Sequence, residues 1–200
     1  MAKRRVPREA RGWSWRLVRN LLLCFIPAAI VWTIVTPVYN RFLTVSAERL
    51  VRFSEWPAET HLLMQDNHFV VVTRDDYKAD KGYLYRLRVT DLHFNLILTW
   101  ALFLATPGIV AAKRWENIGW ATLISIFFHL ILYFFFVKFV YATQLGAWTD
   151  AHYGVFGRNF WGLGKHLLDL PFKFSLPFVL WAGFYFNEFS VHLPSRRAAG

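Results

Sequence analysis

The residues best placed to do chemistry are histidines and amides set in otherwise apolar sequence. His129 shares the run 118–141 with Thr122, Ser125 and Tyr133 at spacings of three or four, which puts all four on one helical face. Asn95, Thr99 and Thr106 make a similar stripe in the run 92–112. Lipid offers such groups no partners, so the stripes should face each other or the first apolar run. Two accounts stay open. One is interhelical hydrogen bonding at close contacts. The other is a proton path or binding pocket around His129, which the spacing puts near the middle of its span.

A second group gathers around the ends of these runs. Asp91, His93 and Asn95 stand at the start of 92–112, and Asp150, His152, Arg158, His166 and Asp169 lie between 142 and 170. His93, Asn95, His129, Arg158 and His166 are therefore the candidate binding residues. Arg158 sits among glycines and aromatics, so it is expected to reach an oxygen elsewhere, a lipid phosphate or Asp91. Neither His-x-x-x-His nor a carboxylate-rich ligand spacing is present, and no metal site is expected. There is no phosphate-binding loop, dinucleotide fingerprint or nucleophile elbow, so no cofactor and no catalytic residue are assigned. The lone cysteine, Cys24, has no neighbouring base in sequence to make it a nucleophile. It reads as a small buried residue, and no disulfide within the chain is possible.

The elements that must position these residues are membrane spans. Four apolar runs, 17–38, 92–112, 118–141 and 171–191, each approach or exceed the roughly 20 residues that cross a hydrocarbon core. The basic tail 1–16 carries Lys3, Arg4, Arg5, Arg8, Arg11 and Arg16 against Glu9, the turn 113–117 carries Lys113 and Arg114 against Glu116, and the tail 192–200 carries Arg196 and Arg197. By the positive-inside rule these three segments, and both termini, are cytoplasmic in a bacterial plasma (inner) membrane. The segment 39–91 balances eight basic against eight acidic residues and falls outside. The formal charge of +10 thus concentrates on one side. It argues for retention and anionic lipid rather than for nucleic acid. The first run exceeds a signal-peptide core and lacks a cleavage site after it, so it reads as a permanent anchor.

The fold class expected is an α-helical integral membrane protein: a four-helix transmembrane bundle with a small α+β extracytoplasmic insertion. In that insertion an amphipathic helix over 39–53 presents Phe42, Val45, Leu50 and Phe53 on one face, and Trp56-Pro57 ends it. Strands follow at 60–65, 68–73 and 83–90, the first two joined by Asp66-Asn67, giving a three-stranded meander. About 50 residues bury little core, so this domain should lean on the membrane or on a partner. The segment 142–170 interleaves Gly146, Gly154, Gly157, Gly162 and Gly164 with aromatic residues. It reads as an interfacial loop on the membrane surface rather than a long helix. Lys138 and Lys173 are expected to snorkel toward the outer surface.

The stretch 91–108, Asp-Leu-His-Phe-Asn-Leu-Ile-Leu-Thr-Trp-Ala-Leu-Phe-Leu-Ala-Thr-Pro-Gly, resembles a segment of the accessory membrane proteins found with exosortases, the exosortase H-associated type. The plan of one span, an outer domain and three more spans resembles them too. Exosortases are transpeptidase-like membrane enzymes that recognise C-terminal sorting signals on exported proteins, with a catalytic cysteine near the outer face. Cys24 lies in the inner half of its run, so no catalytic residue carries over. The resemblance implies a non-catalytic accessory or scaffold in envelope protein sorting, with the lipid bilayer and an exosortase or other envelope membrane protein as partners. The alternative is a membrane-embedded enzyme, or a small-molecule or lipid passage, with a polar site at the outer face.

Overall fold

The computed structural model describes residues 8–77 and 85–192, with side chains described for 14–77 and 85–186. The first element, α1 (Arg8–Phe53), is one helix of 46 residues, about 69 Å long at 1.5 Å per residue. The span and the amphipathic helix expected after it are thus continuous. The apolar face expected over 39–53 is not the face buried in the fold. Asn40, Leu43, Thr44, Ala47 and Val51 are buried, while Phe42, Val45, Leu50 and Phe53 are exposed. The smaller residues at positions 40, 44 and 47 let the following sheet approach closely. Phe42 and Val45 instead extend the outward apolar stripe of Val31, Ile34 and Val38.

Three antiparallel strands follow in the order β1 (Thr60–Met64), β2 (Phe69–Arg74) and β3 (Tyr85–Arg88). The expected meander forms, with Thr60 opposite Arg74 and Val70 opposite Leu87. Tyr83 and Leu84, the start of the third expected strand, lie outside the described residues. Asp66 closes the first turn through its side chain. Its carboxylate accepts from the backbone N–H of His68 at 2.6 Å and of Phe69 at 2.8 Å. Those two bonds hold its carboxyl below the ordinary value. The inner face, Leu62, Val70, Val72 and Leu87, packs in one core with Leu43 and Val51 of α1 and Val137 and Val140 further on. The sheet therefore borrows its core from the chain's own helices. The free edge of β1 is covered as well, where Glu48 Oε2 accepts from the Leu62 N–H at 3.3 Å.

The second expected span is shorter than its apolar run. It comprises α2 (Thr90–His93) and α3 (Asn95–Ala105). Pro107 holds Thr106 in extended backbone, with ψ 116°. Gly108 then takes φ 83°, a conformation glycine adopts without a Cβ penalty. The next helix, α4 (Ala111–Thr143), starts at 111 rather than 118 and takes in Lys113 and Arg114. The expected turn at 113–117 is helical, because the Pro-Gly pair stops a helix and charged residues do not. Among the described residues, three helices are long and apolar enough to cross a membrane, Ser14–Phe53, Ala111–Thr143 and Val155–Phe186, and Thr90–Ala105 is a shorter apolar one.

The segment after α4 is mostly helical. It contains α5 (Ala147–His152), α6 (Val155–Leu167), a π-helical turn (Leu168–Phe172) and α7 (Lys173–His192). Glycines did not prevent α6; they let it pack. A Cβ on Gly164 would sit 2.3 Å from Phe135 Cε1, so only glycine lets α6 lie this close to α4. Pro171 falls within the π turn, where the wider backbone accommodates the missing donor.

Hydrogen bonds give the relative heights of the elements. Asn40 Nδ2 donates to Thr90 Oγ1 at 3.2 Å, and Asn20 Nδ2 donates to the Ala105 carbonyl at 3.3 Å. Thus α2 and α3 together run beside the stretch of α1 from 40 back to 20, about 30 Å of helix. In turn α7 runs beside α3, from Asn95 Nδ2 donating to the Lys173 carbonyl at 3.1 Å to Trp181 Nε1 donating to Thr106 Oγ1 at 2.8 Å.

Candidate functional site

Three of the five sequence candidates, His93, Asn95 and His129, meet in one buried cluster made of two short hydrogen-bond chains, one through His93 and one through His129 and Asn95, that touch at the Tyr39 ring. His93 is fully buried between Trp32 and Asn40. Trp32 Nε1 donates to His93 Nδ1 at 3.2 Å, and His93 Nε2 faces Asn40 Oδ1 at 2.6 Å. A tryptophan can only donate, so Nδ1 must be the bare nitrogen and Nε2 must carry the proton. Asn40 is oriented the same way, since its Nδ2 donates to the Asn67 carbonyl at 2.6 Å. His93 is therefore the neutral Nε2–H tautomer.

His129 is constrained by the same logic. Its Nε2 lies 2.8 Å from Asn95 Oδ1, and Asn95 Nδ2 already donates to the Lys173 carbonyl. Asn95 thus presents an acceptor, His129 Nε2 must donate, and Nδ1 accepts from the Tyr39 hydroxyl at 2.8 Å. The Tyr39 ring stands edge-on to both imidazoles, 4.7 Å from His93 and 6.0 Å from His129. The two polar stripes of the sequence meet at Asn95–His129, and Thr122 is engaged by a residue outside them, where Trp100 Nε1 donates to its Oγ1 at 2.9 Å. His129 is level with Tyr39 and Asn95, at the sheet end of the 20–40 stretch and not at its middle. Trp32, Tyr39 and Asn40, which lock the histidines, were missed in the sequence. The signal available was Trp32, Thr36 and Asn40 recurring every fourth residue in an apolar run.

Lys173 closes one end of this chain. Its Nζ donates to the Asp91 carbonyl at 3.0 Å and to Asp169, which also holds Lys165 at 3.0 Å. So Lys173 is tied inward rather than snorkelling. Arg158 and His166 belong to neither the chain nor each other. Arg158 Nη2 donates to Asp150 Oδ1 at 2.6 Å and its Nε to the Tyr153 carbonyl at 3.0 Å. It pins α5 to α6 through a local acid instead of reaching Asp91. The exposed His166 ring rests on Phe139, 5.7 Å between centroids.

A second polar cluster, which the sequence reading did not assemble, sits where the end of α1, the end of β2 and the C-terminal part of α4 converge. Glu55 Oε1 accepts from Arg74 Nη1 and from Lys138 Nζ, each at 2.9 Å, and its Oε2 accepts from Thr60 Oγ1 at 2.6 Å. Asp76 takes Arg74 in a fork, Nε at 2.8 Å and Nη2 at 3.1 Å, and accepts from Trp148 Nε1 at 3.1 Å. The guanidinium lies 4.5 Å from the Trp148 ring and 4.8 Å from Tyr141, two rings that meet edge to face, and so makes a cation–π contact with each. The Asp76 carboxyl is pushed up by desolvation, but its bonds to Arg74 outweigh this and hold it below the ordinary value. Above the ion cluster opens a cavity of about 620 Å³ with Trp56, Tyr153 and Trp161 in its walls.

Among the described residues, no group of three or more His, Cys, Asp or Glu side chains is arranged to hold a metal ion. Cys24 is half-buried and free. Neither the comparison with curated proteins nor that with solved structures finds a match. The family described as exosortase H-associated membrane protein matches residues 14–188, taking in α1, the sheet, every helix that places the two polar clusters, and the stretch 91–108. On this match the chain belongs to the exosortase H-associated membrane proteins.

Proposed function

We propose that this protein is a non-catalytic accessory of an exosortase in the bacterial plasma membrane, a scaffold that holds a small sheet on the outer ends of its helices. The observation that carries this reading is the closed histidine chain. His93 borders an apolar cavity of about 130 Å³, yet both its ring nitrogens, and both of His129, are engaged by other side chains. A general base or proton carrier needs a nitrogen that can reach substrate or water, and these two have none to offer. The geometry instead favours rigid positioning. A single helix, α1, carries both the apolar stretch and the face on which the sheet packs, so any partner bound to the sheet is held at a fixed height above the membrane.

The orientation that fits has both termini in the cytoplasm and the sheet outside. It is supported by the basic flank of α1 and by α2–α3 retracing about 30 Å of α1, which returns the chain to the side it started from. A reporter active only outside the cytoplasm should work when fused after Arg74 or Arg158 and fail after Lys113 or Arg197. The partner test is capture of the full chain in mild detergent from cells co-expressing the exosortase. Recovery of the enzyme with wild-type protein and with Cys24→Ala supports the reading. Its absence, with the chain intact in the membrane, overturns it.

A further inference from the structure

The cavity above the ion cluster has no part in the accessory role as derived so far, and its chemistry is specific. Three carboxylates, Glu55, Glu59 and Asp76, two cations, Arg74 and Lys138, and the imidazole of His152 line it together with aromatic rings. Their hydrogen-bonding capacity is unevenly used. Lys138 Nζ has three N–H donors and gives one to Glu55. Arg74 has five and gives one to Glu55 and two to Asp76, with a further interaction toward the Tyr141 hydroxyl. Glu55 and Asp76 are engaged by those cations, whereas Glu59 offers a carboxylate with no ion pair or side-chain hydrogen bond among the described residues. The site thus holds spare donors at its floor and a spare carboxylate beside aromatic faces.

A plain anion would meet an excess of carboxylates here. A plain cation would meet Arg74 and Lys138. A ligand carrying both signs satisfies the whole set, its anion on the spare N–H groups and its ammonium between Glu59 and the rings. The depth of the cavity selects the source of that ligand. Trp161, in its wall, is bracketed on α6 by Phe160 and Leu163, exposed by 49% and 63%. At the end of α1, Phe53 and Trp56 are exposed by 91% and 100%. Large apolar groups left uncovered around a polar, aromatic-lined opening match the membrane–water interface, where tryptophan is enriched.

We propose that this cavity binds the headgroup of a zwitterionic phospholipid bearing a primary ammonium, a phosphatidylethanolamine, with the phosphate on Lys138 and Arg74 and the ammonium held by Glu59 and Trp56. The assignment is independent of the exosortase partnership and of the histidine chain. It makes the outer ion cluster a lipid clasp that fixes the depth of the sheet in the membrane.

The test uses the full-length chain, delipidated in detergent, titrated with phosphatidylethanolamine, phosphatidylcholine, phosphatidylglycerol or soluble glycerophosphoethanolamine and read by native mass spectrometry. Phosphatidylethanolamine should bind as a single retained lipid. Phosphatidylglycerol, which lacks the cation, should bind about tenfold more weakly. Phosphatidylcholine should fall between them, because its ammonium cannot donate to Glu59. Trp56→Ala and Glu59→Gln should each weaken phosphatidylethanolamine by about tenfold and narrow its advantage over phosphatidylglycerol. Trp56 is fully exposed, so its removal leaves the fold intact. Trp15→Ala, exposed at the opposite end of α1, should change nothing and so controls for the general lipid shell. Equal binding of phosphatidylethanolamine and phosphatidylglycerol, or indifference to both pocket variants, overturns the site. Equal affinity for glycerophosphoethanolamine places the ligand in solution and overturns the lipid assignment.

Discussion

The two polar clusters of this protein solve the same problem in opposite ways. The histidine chain, among the apolar helices, uses neutral donors and acceptors arranged so that each has one partner of the right kind. The outer cluster, where the helices meet the sheet, uses formal charges: Glu55 between Arg74 and Lys138, all with side chains less than 10% exposed. The difference follows from solvation. A buried charge costs several kcal/mol unless paired and further hydrogen-bonded, while neutral polar groups need only a partner. Charges are retained beside the cavity, where water or a ligand can reach the spare N–H groups, while the nearest charge to the histidines, Lys173, is itself paired with Asp169.

The sharpest way to break this comparison is to remove the hinge of the outer cluster. Glu55→Gln leaves Lys138 with no carboxylate and Arg74 with Asp76 alone. The expected loss is about 3 kcal/mol of stability, measured as reversible unfolding in detergent. A loss under about 1 kcal/mol would show that water already screens the cluster, and that its charges do not carry the cost of burial on which the comparison rests.

The neutral chain should respond less and in a different pattern. His129→Leu strands the Tyr39 hydroxyl and Asn95 Oδ1, at a cost of about 2 kcal/mol. His129→Gln retains a donor and an acceptor and should cost less than about 1 kcal/mol. If both variants accumulate normally yet abolish function in a deletion strain, the histidine does more than pack. The tautomer argument for a non-catalytic chain would then be wrong.

A third test concerns how α6 is held over the outer cluster. Gly164→Ala places a methyl against the Phe135 ring and should cost about 1–2 kcal/mol through overpacking. Phe135→Leu in the same chain should recover part of that. Failure of the second change to help would mean that α6 can tilt away, and that the cavity wall formed by Trp161 is adjustable rather than fixed.

Much of the architecture was legible because it depends on local signals. The apolar runs, the meander over β1–β3 and the interhelical meeting of Asn95 with His129 all follow from periodicity and from the intolerance of lipid for unpaired polar groups. The misreadings share a cause. Lys113 and Arg114 looked like a turn, and Gly157, Gly162 and Gly164 looked like a loop, because composition was used where packing decides. Pro107-Gly108 was the stronger stop signal, and Gly164 serves the contact with Phe135. The outer cluster was not legible at all. Glu55 and Lys138 lie 83 residues apart and join only because α1 runs unbroken far enough to bring Glu55 level with the end of α4. Nothing in the spacing of charges along the chain encodes that height.

Acid should separate the two networks further. The Asp76 carboxyl titrates below its ordinary value in the folded protein, so its contribution is fully present above the unfolded carboxyl pKa of about 3.9 and is lost as pH falls through the lower, folded value. Thermal stability of the wild type should therefore decline as pH drops below about 4, and Asp76→Asn should flatten that decline while lowering stability above it. A decline that is unchanged in Asp76→Asn would assign the acid sensitivity to other carboxylates.

The smallest effect expected is at Arg158, which the sequence placed among the candidate binding residues. Its partner is Asp150, eight positions away, and the side chains are exposed by 38% and 71%. An exposed ion pair contributes about 0–1 kcal/mol even when well formed, and the bond from Nε to the Tyr153 carbonyl can be replaced by water. Arg158→Ala should therefore lower stability by no more than about 0.5 kcal/mol, leave the histidine chain untouched and complement a deletion strain at normal protein level. Arg158 and Lys138 are both cations near helix ends and each is paired with one carboxylate, so burial is what separates them. If Arg158→Ala proved as damaging as Glu55→Gln, burial would not be what ranks these charges, and a partner bound to Arg158 outside the chain would have to be sought.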